Sequence, residues 1–178
     1  TNVRHLSVDL TQDEFFVTNG VPQTNMTSAF YYFNPAGMTE NHLMRYVFGT
    51  KKLALKVTPN AMTLSDENSV TASVSFTEPL SDDKWYFMAF TTSASGITFY
   101  LDSTQVGDVQ TSLTLGDDKM TSIVSGEGLT STDKITVNTR FDKFRLYDLA
   151  ITQTKLASIA LNPLEVGMLL RFDFEVTD

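Results

Sequence analysis

Apolar and polar residues alternate with a period of two in five separate stretches of this chain, and that pattern restricts the fold more than any other feature. Val70, Ala72, Val74 and Phe76 share one face, with Thr71, Ser73, Ser75 and Thr77 on the other. Leu53, Leu55 and Val57 alternate with Lys52, Ala54 and Lys56; Ile97, Phe99 and Leu101 alternate with Thr98, Tyr100 and Asp102. Phe144 and Leu146 alternate with Lys143, Arg145 and Tyr147, and Phe172, Phe174 and Val176 with Arg171, Asp173 and Glu175. Successive side chains of a strand point to opposite faces, so this repetition predicts antiparallel sheets with one face buried. Turn chemistry separates the runs: Asn19-Gly20, Asn34-Pro35-Ala36-Gly37, Pro59-Asn60, Ser81-Asp82-Asp83, Ser95-Gly96, Gly116-Asp117-Asp118 and Gly126-Glu127-Gly128. Short strands at regular spacing predict an all-β sandwich.

Two segments are apolar on both faces. Ala29-Phe30-Tyr31-Tyr32-Phe33 and Trp85-Tyr86-Phe87-Met88-Ala89-Phe90 read as central strands, covered on both sides or lined by aromatics on one open face. Trp85 is assigned to the core between the sheets, and Phe87 and Phe30 are read as core residues. One segment departs from the pattern: between Thr152 and Ala160, Leu156, Ile159 and Ala160 recur at helical spacing. Thr152 is the N-cap candidate and Asn162-Pro163 the stop, giving one short helix near residues 152–160. The C-terminal stretch, residues 166–178, reads as a strand that closes the back sheet by pairing with Phe15–Thr18, or as the start of a following repeat. The whole chain, residues 1–178, is read as a single domain.

Composition excludes several functions. Thirteen Lys and Arg against 21 Asp and Glu leave a net charge of −8, which disfavours phosphate backbones and so nucleic acid. No apolar run reaches the roughly 18 residues of a membrane span, so membrane insertion is not expected. The absence of cysteine removes disulfides, thiolate catalysis and Cys-ligated zinc, and the two histidines, His5 and His42, lie far apart. The chain opens at Thr1 with no initiating Met and no signal-peptide pattern, which reads as a processed protein or a piece of a longer one.

Four stretches, in order and spacing, resemble the concanavalin A-like, laminin-G-like jelly-roll domains. Phe30-Tyr31-Tyr32-Phe33-Asn34-Pro35 is similar to that family's aromatic early strand, and Asp83 to Thr91 to its Trp-led central strand. Gly96-Ile97-Thr98-Phe99-Tyr100-Leu101-Asp102 is similar to the strand ending in Asp-Gly, with Ser103 in place of the glycine. Phe141-Asp142-Lys143-Phe144-Arg145-Leu146-Tyr147-Asp148, followed by Ile151-Thr152 and the helix, completes the likeness over about residues 28–160. The resemblance implies a two-sheet antiparallel jelly-roll sandwich and no single activity, since relatives bind sugars, glycosaminoglycans or proteins, hydrolyse glucans, or build stalks.

The hydrolases of that fold need two carboxylates about 5–5.5 Å apart, which the family draws from one strand face in a Glu-x-Asp-x-Glu arrangement. Here Asp173 and Glu175 share a face, but Arg171 stands where the first Glu belongs. An adjacent guanidinium also depresses a carboxyl pKa, the wrong direction for a general acid. No enzyme activity is expected. Relatives hold calcium at the sandwich rim, and Asp117 and Asp118, after a glycine in a loop, are the candidate ligands here. Asp102 and Asp108 flank a second turn and join them as candidate ligand-binding residues. Tyr31, Tyr86 and Tyr100 could stack on sugars, although burial is the simpler role. Asn25-Met26-Thr27 is an N-glycosylation sequon, but nine Asn among so many Ser and Thr (40 of 178 residues) give roughly two sequons by chance.

The expectation is a non-catalytic recognition or adhesion module of a secreted, cell-surface or virion-surface protein, meeting a glycan or protein at the loop rim. The alternative is a structural module of a virion, appendage or extracellular assembly, contacting neighbouring domains or subunits; a glucan-cleaving enzyme or its inactive relative is weaker. The rim is favoured because the outward residues of the readable strands are mainly Thr, Ser and Lys, while acidic and glycine-containing turns gather at Asp102–Asp108 and Gly116–Asp118.

Overall fold

The computed structural model describes residues 7–9, 20–130, 133, 139–161 and 168–172. Its strands are β1 (Ser7–Asp9), β2 (Met26–Asn34), β3 (Asn41–Phe48), β4 (Lys51–Thr58), β5 (Ala61–Asp66), β6 (Thr71–Ser75), β7 (Lys84–Ser93), β8 (Gly96–Leu101), β9 (Thr104–Gln110), β10 (Ser122–Ser125), β11 (Arg140–Tyr147) and β12 (Met168–Phe172). The helix α1 spans Gln153–Leu161. Two antiparallel sheets form, in the orders β1-β10-β3-β4-β5-β6 and β12-β11-β2-β7-β8-β9. This is the two-layer sandwich that the alternation predicts. β12 pairs with β11; Phe15–Thr18, its expected partner, lies outside the described residues.

Tight hairpins follow the turn residues. Pro59-Asn60 joins β4 to β5, and Asp102-Ser103 joins β8 to β9 with both φ angles positive, at 48° and 64°. Two successive positive φ values make a type I′ turn, whose twist matches that of the strands it connects.

One parity of each strand builds the core between the sheets. Phe30, Tyr32, Met88, Phe90, Phe99, Phe144 and Leu146 face Tyr46, Phe48, Leu55, Met62, Leu64 and Val74. The Tyr46 and Phe90 rings meet edge to face at 5.5 Å. Polar groups that this core encloses are paired, as burial demands. The Tyr46 hydroxyl lies 2.6 Å from Ser28 Oγ. The Tyr32 hydroxyl donates to Asn34 Oδ1 and accepts from Asn41 Nδ2, linking the sheets. Burial raises the Tyr32 pKa to about 12 and pushes that of Tyr46 up as well.

The other parity of the second sheet makes a smaller core of its own. Ala29, Phe87, Ala89, Tyr100 and Tyr147 are sealed by Ile151, Leu156 and Ile159. Both aromatic strands are therefore covered on both faces at mid-length. The helix that does this has no basic residue in its last turn; the sheet supplies the caps instead. Arg145, 1% exposed, donates from Nη1 to the Ile159 carbonyl, and the Tyr31 hydroxyl donates to that of Ala160. These satisfy carbonyls that a helix end leaves without partners, and the cation suits the negative end of the dipole.

Trp85 corrects one expectation. It is 42% exposed and not in the core. Parity explains the difference: Trp85 has the parity of Phe87 and Ala89, so it points away from Tyr86, Met88 and Phe90. It precedes the stretch that α1 covers.

Candidate functional site

The sequence-predicted acidic candidates do not gather. Asp117 and Asp118 lie at the end of the sandwich where β7 turns into β8: Asp117 Oδ1 accepts from Thr24 Oγ1 at 3.0 Å, and Thr24 borders Ser93–Gly96. Asp102 sits at the opposite end of β8, a six-residue strand of roughly 17–20 Å. Its carboxylate accepts from the Phe87 amide at 3.0 Å while its own amide donates to the Phe87 carbonyl, so it locks the hairpin onto β7. Asp108 lies within β9 rather than in a turn, and its backbone carbonyl accepts from Gln110 Nε2.

At Asp117 and Asp118, the calcium candidates, a side-chain cation already stands beside the carboxylates. Asp118 Oδ2 is 3.0 Å from Lys51 Nζ, and hydrogen bonding to Asp118 raises the Lys51 pKa. An ammonium thus occupies one carboxylate that the ion would need. Among the described residues no three Asp, Glu or His side chains converge, whereas calcium seeks six to eight oxygens.

The sequon serves the fold. Asn25 Nδ2 donates to the Asp148 carbonyl and Oδ1 accepts from the Ala150 amide, each at 3.0 Å. Thr27 Oγ1 donates to the Leu149 carbonyl at 2.6 Å and accepts from the Ile151 amide at 2.9 Å. Both sequon side chains thereby tether the loop that delivers α1. Tyr86 and Tyr100 are nearly buried, and Tyr31 caps the helix. Asp173 and Glu175 lie outside the described residues.

A separate ionic cluster stands on the first sheet. Glu40 bridges Lys56 and His42 at 2.9 Å each, and hydrogen bonding to Lys56, then to His42, lowers its pKa. Asp133 is lowered too, chiefly by the Thr130 amide. Carboxylates held ionised in this way are poor general acids.

Binding features concentrate at the start of β7, where three consecutive residues face two surfaces. On one side, Lys84 and Tyr86 line a groove of about 610 Å³ between the outer edges of the two sheets, together with Phe76, Leu80, Gln105 and Val106. That volume lies within the range of small-ligand sites. Lys84 Nζ lies 5.3 Å from the centre of the Tyr86 ring, and the Tyr86 hydroxyl accepts from the Ser81 amide. On the other side, Trp85 packs against Phe33 with ring centres 5.5 Å apart and the rings tilted by 58°. Arg140 covers Phe33 at 5.4 Å. Trp85, Phe33 and Arg140 are cross-strand partners in one row. The next row carries Tyr31 against Phe87, with Lys143 Nζ 5.6 Å from the Tyr31 ring. The Trp85–Phe33–Arg140 row thus makes an aromatic platform beyond the cover of α1, and the Tyr31–Phe87 row, with Lys143 over it, is its border with the helix. Sequence reasoning placed Trp85 in the core and missed this platform, because residues 85–90 are apolar on both faces and offer no contrast between them.

The sequence matches the family model of the concanavalin A-like lectin/glucanases superfamily over residues 12–157. No curated protein sequence matches it significantly. Among solved structures, the chain is similar to a protein from Bacteroides ovatus described as a candidate carbohydrate binder (TM-score 0.68, 12% identity, 96% of this chain and 49% of that one). It is also similar to the binding domain of botulinum neurotoxin serotype G (TM-score 0.64, 14% identity, 90% and 41%). A third is the native heptameric SAP-like pentraxin of Limulus polyphemus (TM-score 0.56, 12% identity, 79% and 72%). The chain spans less than half the length of the first two. At these identities the likeness establishes the fold alone.

Proposed function

The chain belongs to the concanavalin A-like lectin/glucanases superfamily, and from that premise we propose that it is a non-catalytic glycan-binding module whose ligand surface is the platform at the start of β7. The exposure of Trp85 carries this reading. It is the chain's one tryptophan, on a sheet face that α1 otherwise seals, and an indole braced by a neighbouring ring offers a flat apolar surface to a pyranose. A neurotoxin binding domain and a protein described as a candidate carbohydrate binder among the structural neighbours support the reading. The side chains stacked on the platform rings are cations rather than the carboxylate pair that glycoside hydrolysis requires. Glycans of this kind lie on cell surfaces and outside cells, which is where the module would act. Among the described residues no helix is long and apolar enough to cross a membrane.

Trp85 makes the test direct, because intrinsic tryptophan emission reports on the platform alone. Screening an immobilised glycan set with the wild type and with Trp85→Ala should show wild-type binding weakened about tenfold or more in the variant, on the scale of one lost stacking contact. Titrating a bound glycan should shift the emission. Failure to bind any glycan, or equal binding by the variant, overturns the proposal.

A further inference from the structure

The cations on this surface select among glycans, an inference that rests on the glycan-binding reading and deepens it. Acidic residues outnumber basic ones by 21 to 13, and several cations elsewhere are paired: Arg45 with Glu127, Lys51 with Asp118, Lys56 with Glu40. Lys84, Arg140 and Lys143 differ. Each lies over a ring, Tyr86, Phe33 and Tyr31 respectively. Among the described residues none of the three forms an ion pair. Ring contact holds a cation in place and leaves its charge uncompensated. Asp142, the register partner of Tyr31, shares the face of Arg140 one row along and is the nearest acid on its strand, yet it forms no ion pair with any of the three; Asp83 accepts from the Ala36 amide instead.

Geometry converts the charge into a ligand class. Trp85, Phe33 and Arg140 are register partners on three adjacent strands, so Trp85 and Arg140 are about 9–10 Å apart at two strand spacings. A pyranose stacked on Trp85 reaches Arg140, held over the Phe33 ring, with a substituent on its own ring. The guanidinium fork matches the oxygens of a carboxylate or sulfate. The chain's overall negative charge does not cancel this, because at physiological salt acids more than about 8 Å away are largely screened.

We propose that this surface binds an anionic pyranose: the sugar ring on Trp85, its acidic substituent on Arg140, with Lys143 adding positive potential; Lys84 lies on the groove side of the sheet and takes no part. The shared chemistry has two sources, a uronate-type carboxylate and a sulfate ester.

The deciding experiment titrates Trp85 emission with probes that differ in charge alone. Oligogalacturonate is compared with its methyl ester, and sulfated lactose with lactose. The expected result is that at least one acid binds about tenfold or more tightly than its neutral counterpart, with the carboxylated and sulfated arms identifying the source. Arg140→Gln should bring the acid down to the affinity of the neutral probe, and Trp85→Ala, which removes the fluorophore and is therefore followed by calorimetry, should abolish both. Arg140 is exposed, so the variant leaves the core intact; Lys143→Gln provides a second, smaller loss of preference. If neutral and acidic probes bind equally, or Arg140→Gln keeps the preference, the charge inference is overturned while glycan binding stands. If no probe in this set or in the wider glycan screen binds, both readings fall together.

Discussion

Replacing Thr27 by Val removes a hydroxyl and keeps the volume. The side chain is fully buried, and its oxygen both donates to the Leu149 carbonyl and accepts from the Ile151 amide. Leu149 is exposed, so its carbonyl recovers a partner from water. Ile151 is 4% exposed, and its N–H is stranded. Two hydrogen bonds at about 1 kcal/mol each, plus part of the 1–3 kcal/mol for a stranded donor, give a loss of roughly 2–4 kcal/mol. At about 2–4 °C per kcal/mol for a domain of this size, the melting temperature should fall by roughly 4–16 °C. Thr27→Ser keeps the hydroxyl and deletes a methyl, for about 1 kcal/mol. Urea denaturation of both variants gives the comparison, and hydrogen exchange should show faster loss at the Ile151 amide and along α1 in the Val variant. If Thr27→Val costs less than Thr27→Ser, the tether does not hold the loop and the reasoning fails.

Further outcomes follow from other parts of the molecule. Ser103→Gly relieves a side chain held at φ 64° and should raise stability by about 0.5–1 kcal/mol in urea unfolding, since an L residue in that region costs roughly 1–2 kcal/mol; a loss would show that Ser103 makes a contact worth more than its strain. Tyr32, raised from 10.0 to about 12, favours the native state while it stays protonated. Its contribution is complete below pH 10 and declines as pH rises towards 12. Ultraviolet titration should therefore show its ionisation, and that of Tyr46, only together with unfolding; six tyrosines ionising near pH 10 in a folded chain would contradict the burial. Millimolar calcium should leave the melting temperature unchanged, because Lys51 already engages Asp118. A rise of several degrees that disappears in the Asp117→Ala, Asp118→Ala double variant would show that the ammonium yields to the ion.

What the sequence determined by itself is the class of fold. Alternation at residues 53–57, 70–76, 97–101 and 143–147 leaves a chain only one way to bury its apolar residues, against a second sheet. The place of α1 was legible too, because Leu156 and Ile159 recur at helical spacing and both are buried. Parity was legible for Phe144 and Leu146, where the opposite face is charged. It was not legible for Trp85 to Phe90, where both faces are apolar and alternation carries no contrast. Which of Trp85 and Tyr86 meets the core between the sheets is decided by the register of β7 on β2. Whether the other face is covered depends on how far α1 reaches along the sheet, and that reach is set by Arg145, Tyr31, Asn25 and Thr27, residues distant in sequence. The acidic turns show the same limit from the other side. Asp102 and Asp118 look alike in the sequence, yet one is bound by the Phe87 amide and the other by Lys51, at opposite ends of a strand. Local pattern reports what a residue prefers to bury. Only the tertiary structure decides which neighbour arrives to cover it, because the covering group is brought in by the chain's long-range pairing.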